Sequence, residues 1–377
     1  MTTSLHLLLL VCYILSHEKI TDSEHLRLTD KPKISIFGAG SIGCYLGGCL
    51  AAIDYDAVLI GRERIQLQLK EHGLLVTDWK GRHQKLLPQN ITFSTNTEAL
   101  RDADYIFLTV KSGDTKAAAT SILEFAKSDA VIVSFQNGIQ NVRVLRALLP
   151  GHRVVKGMVP FNVLGNGLGQ FHCGTEGDLA IEAVEDELLP LLAALKKADL
   201  PVILHNDISG VQWGKLIMNL NNSVNALSGV PLLDQLNNLK YRKVMTKVIA
   251  EALTIMKAAG IKPARTGKVI PKLMPFILSL PNWLFKRVAS ATLKIDPKAR
   301  SSMYEDFELK RKTEIDYLNG EIVNLAMELG MQAPVNQAIV NLVRDAEQKQ
   351  QGSPKLSPEY LQNVIIKNLY KITLKLT

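Results

Sequence analysis

Three glycines between an apolar run and a helix-compatible segment indicate phosphate binding. The stretch GAGSIG at residues 38–43 follows KISIF and precedes CYLGGCLAA. In this pattern the first glycine permits a tight turn, the second lets a pyrophosphate approach the backbone, and the third lets helix and strand pack closely. The amide groups that begin the helix favour the phosphate charge. The pattern predicts a dinucleotide site, against the alternative of a purely structural turn, at Gly38, Ala39, Gly40, Ser41, Ile42 and Gly43.

The end of the second predicted strand indicates which nicotinamide cofactor binds. NAD sites usually place a carboxylate there for the ribose hydroxyls, whereas NADP sites place a cation for the 2′-phosphate. The chain reads AVLIGRERIQ, with Arg62 where the acid would stand and Arg64 close behind, although Glu63 lies between them. Because a planar guanidinium suits a phosphate, NADPH is the expected cofactor. The alternative is that Arg62 is a solvated surface residue.

Polar residues that could bind a substrate occur in the same half of the chain. Lys111 in LTVKSGD and Asn137 in SFQNGIQN each follow a predicted strand. Open α/β sheets bind their ligands at the carboxyl ends of the strands. Both residues are therefore candidates for the cleft.

A second polar set lies in the other half. Lys215, Asn219 and Asn222 in WGKLIMNLNNSVNALSG have the spacing that places an ammonium and two amides on one helix face. Their neighbours are apolar, so these side chains should be half-buried and need partners. Ser302 and Glu314 lie in the third stretch, ARSSMYEDFELKRKTEIDYLNGEIV.

The elements that must position these residues change in kind near residue 206. Before it, short β-rich runs alternate with helical stretches, which predicts a parallel sheet with helices on both faces. After it, apolar residues recur at three- and four-residue spacing in segments that end on glycine, which predicts an all-helical domain. The predicted strands are KISIF, AVLI, DYIFLTV, AVIVSF, RVVKGMV, DLAIEA and PVILH.

Length and composition limit the class of protein. The 377 residues, 47% of them hydrophobic, are enough for two domains with separate cores. The formal net charge is +8, but the sequence has no dense basic segment of the kind that binds a nucleic-acid backbone. An anionic small molecule is therefore the more natural partner. The cysteines lack metal-ligand and disulfide-framework spacing, which indicates a reducing compartment such as the cytoplasm. They are Cys12, Cys44, Cys49 and Cys173.

Two apolar segments bear on membrane association. LHLLLLVCYIL at 5–15 has signal-peptide length, but no Lys or Arg precedes it and no small-x-small cleavage site follows, which favours an extension or an upstream start site. LMPFILSLPNWLFKRVASATLKI at 273–295 contains Pro275 and Pro281, which favour a packed helical connection over a membrane-surface helix. We expect no stable membrane insertion.

The motifs GAGSIG, VKS, QNG, WGKLIMNLNNSVNAL, SSMYED and TEIDYLNGEIV, in this order, resemble those of 2-dehydropantoate 2-reductase, or ketopantoate reductase, from about residue 33 to 336. The resemblance implies an α/β fold, with a Rossmann-type, doubly wound, mostly parallel sheet followed by an all-helical C-terminal domain. It implies NADPH and ketopantoate in the cleft. The expected divisions are an N-terminal extension (1–31), an NADP-binding domain (32–205) and a helical substrate and catalytic domain (206–377).

The resemblance also implies individual roles. Lys215 matches the catalytic lysine, Glu314 the glutamate that binds the substrate hydroxyl, and Arg62 the arginine that binds the 2′-phosphate. Lys111 matches a lysine near cofactor and substrate, Asn137 a cleft asparagine, and Ser302 a substrate contact.

Physical reasoning supports this allocation. Hydride transfer to a ketone carbon drives negative charge onto the carbonyl oxygen, which an ammonium can stabilise and protonate. Ser302 and Asn219 offer donors for the substrate carboxylate, with Asn222 on the same face. The alternative for Lys215 is a stem that covers apolar surface while its head reaches water. Whether the chain forms a homodimer stays open.

Ser302 and Glu314 can both contact one small substrate only if the chain between them is not a single helix. In an unbroken helix Ser302 and Glu314 would stand about 18 Å apart, too far for one small keto acid. We therefore predict a helix end near residues 309–312 and a new start at Thr313 or Glu314. Thr313 would cap it, with Asp316 as a partner resembling a capping box.

Two departures from the family bear on the substrate. Ala299 and Ser223 stand where some members present a substrate-facing asparagine. They allow a related NADP-dependent 2-hydroxy-acid or opine-type dehydrogenase that acts on another 2-keto acid. A separate alternative is an NADPH-binding sensor without turnover. Metal and cysteine-nucleophile chemistry find no support in the spacing of Cys and His.

Overall fold

Short runs of β-branched, leucine and aromatic residues form most of the strands of the first half. The computed structural model describes residues 31–184, 186–265, 269–289 and 299–376, so the apolar run at 5–15 and Cys12 lie outside the described residues. All seven predicted strands are present, with five more. The strands are β1 (Ile34–Phe37), β2 (Ala57–Ile60), β3 (Leu74–Asp78), β4 (His83–Leu86), β5 (Thr92–Ser94), β6 (Tyr105–Leu108), β7 (Val131–Ser134), β8 (Arg153–Met158), β9 (Val163–Gly165), β10 (Gln170–Cys173), β11 (Leu179–Glu182) and β12 (Val202–His205).

Eight of these strands form one sheet, in the order β12-β11-β8-β7-β6-β1-β2-β5. Neighbouring strands are parallel except for the antiparallel pair of β8 and β11. In β1, Ile34 lies opposite Ala57 of β2 on one side and Tyr105 of β6 on the other. Because the strand order reverses at β1, the carboxyl ends of β1 and β6 border the crevice where such sheets bind ligands.

Helices cover both faces of this sheet. Leu46, Leu69 and Leu195, from three different helices, pack into the core of one face. Ile122 and Leu145 pack into the core of the other. The expected doubly wound, mostly parallel sheet is therefore confirmed. The helices are α1 (Ser41–Ala51), α2 (Glu63–His72), α3 (Thr115–Phe125), α4 (Asn141–Leu148) and α5 (Leu189–Lys197).

A second, four-stranded sheet was not expected from the sequence. Its order is β4-β3-β10-β9, and β3 pairs in parallel with β10. It packs directly behind α1, because a Cβ added to Gly48 would lie 2.7 Å from Cγ1 of Val76. The small sheet therefore supports the helix that follows the glycine turn.

The second half is helical, as expected, and the residues described after His205 contain no β-strand. Its helices enclose a separate core around α9, which buries Val244, Val248 and Ile255. Gly260, with φ of +71°, follows the end of α9. The helices are α6 (Ile208–Asn219), α7 (Asn221–Ser228), α8 (Leu232–Asn237), α9 (Leu239–Ala258), α10 (Met274–Ser279), α11 (Asn282–Ala289), α12 (Ser302–Glu308), α13 (Asn319–Glu328), α14 (Pro334–Lys349) and α15 (Pro358–Leu376).

The chain breaks between Ser302 and Glu314, as predicted. Helix α12 ends at Glu308, and Lys310 adopts a left-handed φ of +51°. The predicted new start was correct only for a single 3₁₀ turn, Ile315–Tyr317, and the α-helix begins later, at Asn319. Thr313 Oγ1 accepts the backbone N–H of Ile315 at 3.2 Å.

The capping-box role predicted for Asp316 was wrong. Its carboxylate instead accepts hydrogen bonds from the guanidinium of Arg344, at 2.7 and 3.1 Å. An arginine on α14 competes for this carboxylate because the 3₁₀ turn packs against that helix.

Residues 273–289 form the predicted packed connection, and the remainder of the 273–295 segment lies outside the described residues. Pro275 lies in the first turn of α10, and Pro281 separates α10 from α11. Met274, Leu278 and Phe285 bury one side of the connection in the helical core. Within the described part of the chain, no helix combines the length and apolarity that crossing a membrane requires.

Candidate active site

In the glycine turn between β1 and α1, two glycines lie where a side chain would clash with neighbouring atoms, and the third faces open space. Gly38 has φ of +119°, and a Cβ there would lie 2.4 Å from the backbone nitrogen of Val110. A Cβ on Gly43 would lie 2.2 Å from the carbonyl oxygen of Gly38. A Cβ on Gly40 would meet no atom within 4 Å. The turn thus presents an open backbone surface at Gly40.

The start of α1 has the donors that a pyrophosphate needs. Gly40 is its N-cap, and among the described residues no side chain caps it and no acid lies in its first turn. The first amide groups of a helix have no acceptor within the helix, and they carry its positive dipole end. Ser41 and Ile42 are half-buried there, beside the buried Ala39. These residues fit the diphosphate of a dinucleotide.

Arg64, in the first turn of α2, interacts electrostatically with two other arginines, Arg62 and Arg311. Arg62 is the N-cap of α2, is 79% exposed and lies 3.6 Å from a carboxylate oxygen of Asp114. Burial, followed by the positive charges of Arg311 and Arg62, lowers the pKa of Arg64. Arg311 comes from the helical half, and sequence reasoning missed it. Such a cationic group is suited to a phosphate.

Lys215, Asn137 and Glu314 form a hydrogen-bonded chain across the two halves of the molecule. The ammonium of Lys215, on α6, donates to Oδ1 of Asn137 at 3.0 Å and to the carbonyl oxygen of Val159 at 2.5 Å. Nδ2 of Asn137 donates to Oε2 of Glu314 at 3.0 Å. The amide of Asn137 therefore links a cation from α6 to a carboxylate from the loop before α13.

The second carboxylate oxygen of Glu314 is held by Ser112. Its backbone N–H and its hydroxyl lie 3.2 and 3.1 Å from Oε1 of Glu314. The Ser112 hydroxyl also lies 2.7 Å from the carbonyl oxygen of Asn137, and Asn141 donates to Ser112 Oγ at 3.0 Å. Sequence reasoning missed Ser112 and Asn141, although both lie in the quoted stretches LTVKSGD and SFQNGIQN.

Lys111 joins the two halves by an ion pair. Its Nζ lies 2.5 Å from Oδ1 of Asp306 and 3.1 Å from the carbonyl oxygen of Lys312. Burial raises the pKa of Asp306, and the Lys111 charge opposes that rise. Lys111 thus contacts the helical half through Asp306, a partner that sequence reasoning did not consider.

Burial lowers the pKa of Lys215, the cation of this hydrogen-bonded chain. Removal of the Lys215 ammonium from water lowers its pKa to about 8, although the negative charge of Glu314 acts in the opposite direction. A lysine with this pKa is mostly protonated at neutral pH and gives up its proton more readily than a solvated lysine. It can serve as a general acid.

The remaining predicted substrate residues lie outside the hydrogen-bonded chain. Asn219 and Asn222 are half-buried on the path from α6 to α7, where Leu220 keeps helical dihedral angles. Ser302 is exposed in the first turn of α12. Its neighbour Ser301 is buried and caps α12 by accepting from the backbone of Tyr304 at 3.2 Å.

The two family departures serve the helical half itself. Ser223 is fully buried, and its hydroxyl donates to the carbonyl oxygen of Leu220 at 2.9 Å. The carbonyl oxygen of Ala299 accepts from the backbone of Leu232 at 2.9 Å. Neither side chain supplies an amide to the cleft.

The described cysteines have the properties of packing residues. Cys44, Cys49 and Cys173 are buried and free. Burial raises the pKa of each thiol, to about 12 for Cys49, so none is activated as a thiolate nucleophile. Across the described ranges, no three His, Cys, Asp or Glu side chains group as metal ligands would.

Two family models match consecutive parts of the chain. The model described as ketopantoate reductase PanE/ApbA matches residues 34–186, and the model of its C-terminal region matches residues 207–347. The 2-dehydropantoate 2-reductase of Archaeoglobus fulgidus is 26% identical over 320 residues, which cover 84% of this chain and 98% of the relative. The corresponding enzyme of Pyrococcus horikoshii is 28% identical over 330 residues, covering 85% and 99%.

Solved structures show the same fold. The PanE/ApbA family ketopantoate reductase of Ralstonia eutropha JMP134 has a TM-score of 0.72 and 29% identity, and the match covers 85% of this chain and 99% of that one. A D-mandelate dehydrogenase solved with NADH and anilino(oxo)acetate has a TM-score of 0.68 and 22% identity, covering 84% and 99%. Two matching family models over most of the chain, together with these relatives, show that the protein belongs to the ketopantoate reductase family of NAD(P)-dependent oxidoreductases.

Proposed function

We propose that the chain reduces the 2-keto group of 2-dehydropantoate to pantoate with NADPH, in pantothenate and coenzyme A biosynthesis in the cytoplasm. The observation that carries the proposal is the chain of hydrogen bonds from Lys215 through Asn137 to Glu314. It brings a cation of lowered pKa and a carboxylate together where the two halves of the molecule meet. A keto acid that also carries a hydroxyl needs both groups.

Residues 32–205 would bind the cofactor. The open backbone at Gly40 and the first amides of α1 would hold the diphosphate, and Arg62 would contact the 2′-phosphate. Bound NADPH supplies a hydride. The positive charges of Arg62 and Arg311 that act on Arg64 support a preference for the extra phosphate of NADPH over the bare ribose of NADH.

Residues 206–377 would hold the substrate and supply the proton. Lys215 stabilises the negative charge that develops on the carbonyl oxygen and then donates a proton to it. Asn137 orients the ammonium by accepting one of its hydrogen bonds. Glu314 accepts a hydrogen bond from the substrate's hydroxyl. Asn219, Asn222 and Ser302 are the proposed contacts of the substrate's carboxylate.

A second candidate is a related dehydrogenase for another 2-keto acid. The structural likeness to a D-mandelate dehydrogenase and the absence of amides at Ala299 and Ser223 favour it. In that case the same lysine would protonate a different carbonyl, and Glu314 would have no hydroxyl to bind.

The test is NADPH oxidation with ketopantoate and a panel of other 2-keto acids, by the wild type and Lys215→Ala. We expect the highest kcat/KM for ketopantoate with NADPH, and loss of that activity in the variant. Faster turnover of a keto acid without a hydroxyl would favour the second candidate. Binding of NADPH that no keto acid oxidises would indicate a sensor rather than an enzyme.

A further inference from the structure

The outer side of α10, α11 and the turn that precedes α10 exposes an unusual set of large apolar side chains. Phe276 and Trp283 are 67% and 69% exposed, and Ile270, Leu273 and Val288 are about half exposed. We call these five residues the apolar face. Since both helices bury their other side in the same core, the apolar face points away from the protein. Water-exposed aromatic and aliphatic groups grouped in this way mark an interaction surface.

A buried arginine holds this connection in place. Arg242 on α9 is fully buried, and its guanidinium donates to the carbonyl oxygens of Leu278 and Leu280 at 3.0 and 2.7 Å. It also donates to Oδ1 of Asn282 at 2.9 Å and lies 4.1 Å from the ring centre of Phe285. These contacts fix both helices, so Phe276 and Trp283 are presented outward on a rigid support.

The sequence around the apolar face carries positive charge alone. Residues 252–295 contain eight Lys and Arg and no Asp or Glu, so this stretch accounts for the whole formal net charge of +8. Lys272 and Lys286 are exposed beside the apolar side chains, on the two sides of Pro281. A partner for this surface must therefore be apolar within and negative at its boundary.

We propose that the apolar face, which is the side of this packed connection that the helical core does not cover, docks the protein on an anionic lipid surface. Trp and Phe side chains favour the boundary between headgroups and acyl chains, and lysines beside them favour anionic headgroups. Pro281 divides the segment into two short helices, so it lies in the interface without crossing the bilayer. Pairing with a second copy would place the same cations against each other, which opposes a symmetric dimer through this face.

Co-sedimentation of the full chain with vesicles tests the proposal. We expect binding to phosphatidylcholine vesicles that contain phosphatidylglycerol and much weaker binding to phosphatidylcholine alone. The double variant Phe276→Ser with Trp283→Ser should weaken binding about tenfold or more, since burial of each ring favours the bound state. Lys272→Gln and Lys286→Gln should each weaken it roughly fivefold, and added salt should act in the same direction.

Matched variants keep the result interpretable. Leu123→Ser removes a 60% exposed leucine on α3, far from the segment in sequence, and should leave vesicle binding unchanged. Trp283→Phe should retain binding but lose a blue shift of tryptophan emission that the wild type shows on vesicles. NADPH oxidation in solution serves as the folding control for every variant.

Two outcomes would overturn the proposal. One is vesicle binding that the Phe276 and Trp283 substitutions do not change. The other is a wild-type dimer in light scattering that the same substitutions dissociate, because the face would then be covered by a second copy.

Discussion

The Nζ of Lys215 lies 3.0 Å from Oδ1 of Asn137, so an ammonium on the helical half contacts an amide in the loop that follows β7 of the large sheet. Asn137 can therefore fix the ammonium only while the two halves stand in their present arrangement. The same amide bonds Glu314 through its nitrogen. One short side chain thus sets the positions of both charged groups.

Asn137→Ala should impair catalysis without unfolding the protein. The substitution removes the acceptor for Lys215 and the donor for Glu314, so both charged groups lose their orientation. We expect kcat/KM to fall about 10²-fold, as misplacement of a reacting group can do. Steady-state kinetics measures the loss, and Asn166→Ala, in an exposed loop, is the matched control. Unchanged kinetics in Asn137→Ala would remove this residue from the site.

Glu314→Gln should move the pH dependence in a defined direction. The negative charge of Glu314 raises the pKa of Lys215, so its removal lowers that pKa below about 8. The pH above which reduction slows should fall accordingly, and KM for the keto acid should rise. Ser112→Ala keeps the charge, so it should raise KM without moving this limit. A limit that stays in place in Glu314→Gln would show that the two groups do not interact.

Substitution by alanine should affect folding stability at one glycine of the turn and cofactor binding at another. Gly43→Ala forces a Cβ against the Gly38 carbonyl and should cost about 1 to 3 kcal/mol of folding stability, measured by denaturant unfolding. Gly40→Ala meets no atom within 4 Å and should unfold like the wild type, yet bind NADPH more weakly. Full NADPH affinity in Gly40→Ala would argue against a diphosphate at this turn.

Arg62→Ala should reduce the preference for NADPH. Loss of a charged hydrogen bond to the 2′-phosphate should raise KM for NADPH roughly 10- to 100-fold and leave KM for NADH unchanged. Arg101→Ala, which removes an arginine over the Phe125 ring, is the control. Equal effects on both cofactors would exclude a role for Arg62 in reading the phosphate.

Seven of the eight strands of the large sheet were predictable from sequence because they are short apolar runs between helical segments, whereas β5, with the sequence TFS, was missed. The small sheet was not predictable, since it depends on pairing between distant segments, such as Phe171 with Val76. The sequence of β4, HQKL, is mostly polar and lacks the β-branched and aromatic residues that predict a strand. Its strand conformation comes from the ladder with β3.

The same limit applies to the site. Lys215 and Glu314 were selected for their residue types and motifs, and the structure places both in one hydrogen-bonded chain through Asn137. Ser112 and Asp306 were missed because each acts through a partner about 200 residues away, Glu314 and Lys111 respectively. Local spacing contains no information on such pairs. The break before Glu314 could be predicted because it followed from a distance argument.

The most direct test of the account is the pH dependence of NADPH oxidation with ketopantoate by the wild type and Lys215→Ala. Lys215 must be protonated to act as the acid. The kcat of the wild type should therefore be independent of pH below the Lys215 pKa of about 8 and should fall at higher pH. Pantoate oxidation needs the neutral amine and should show the opposite dependence. Lys215→Ala should lose about 10³-fold in kcat and this dependence on pH, with NADPH affinity retained. A variant that keeps the wild-type rate, or the same fall above pH 8, would contradict the account.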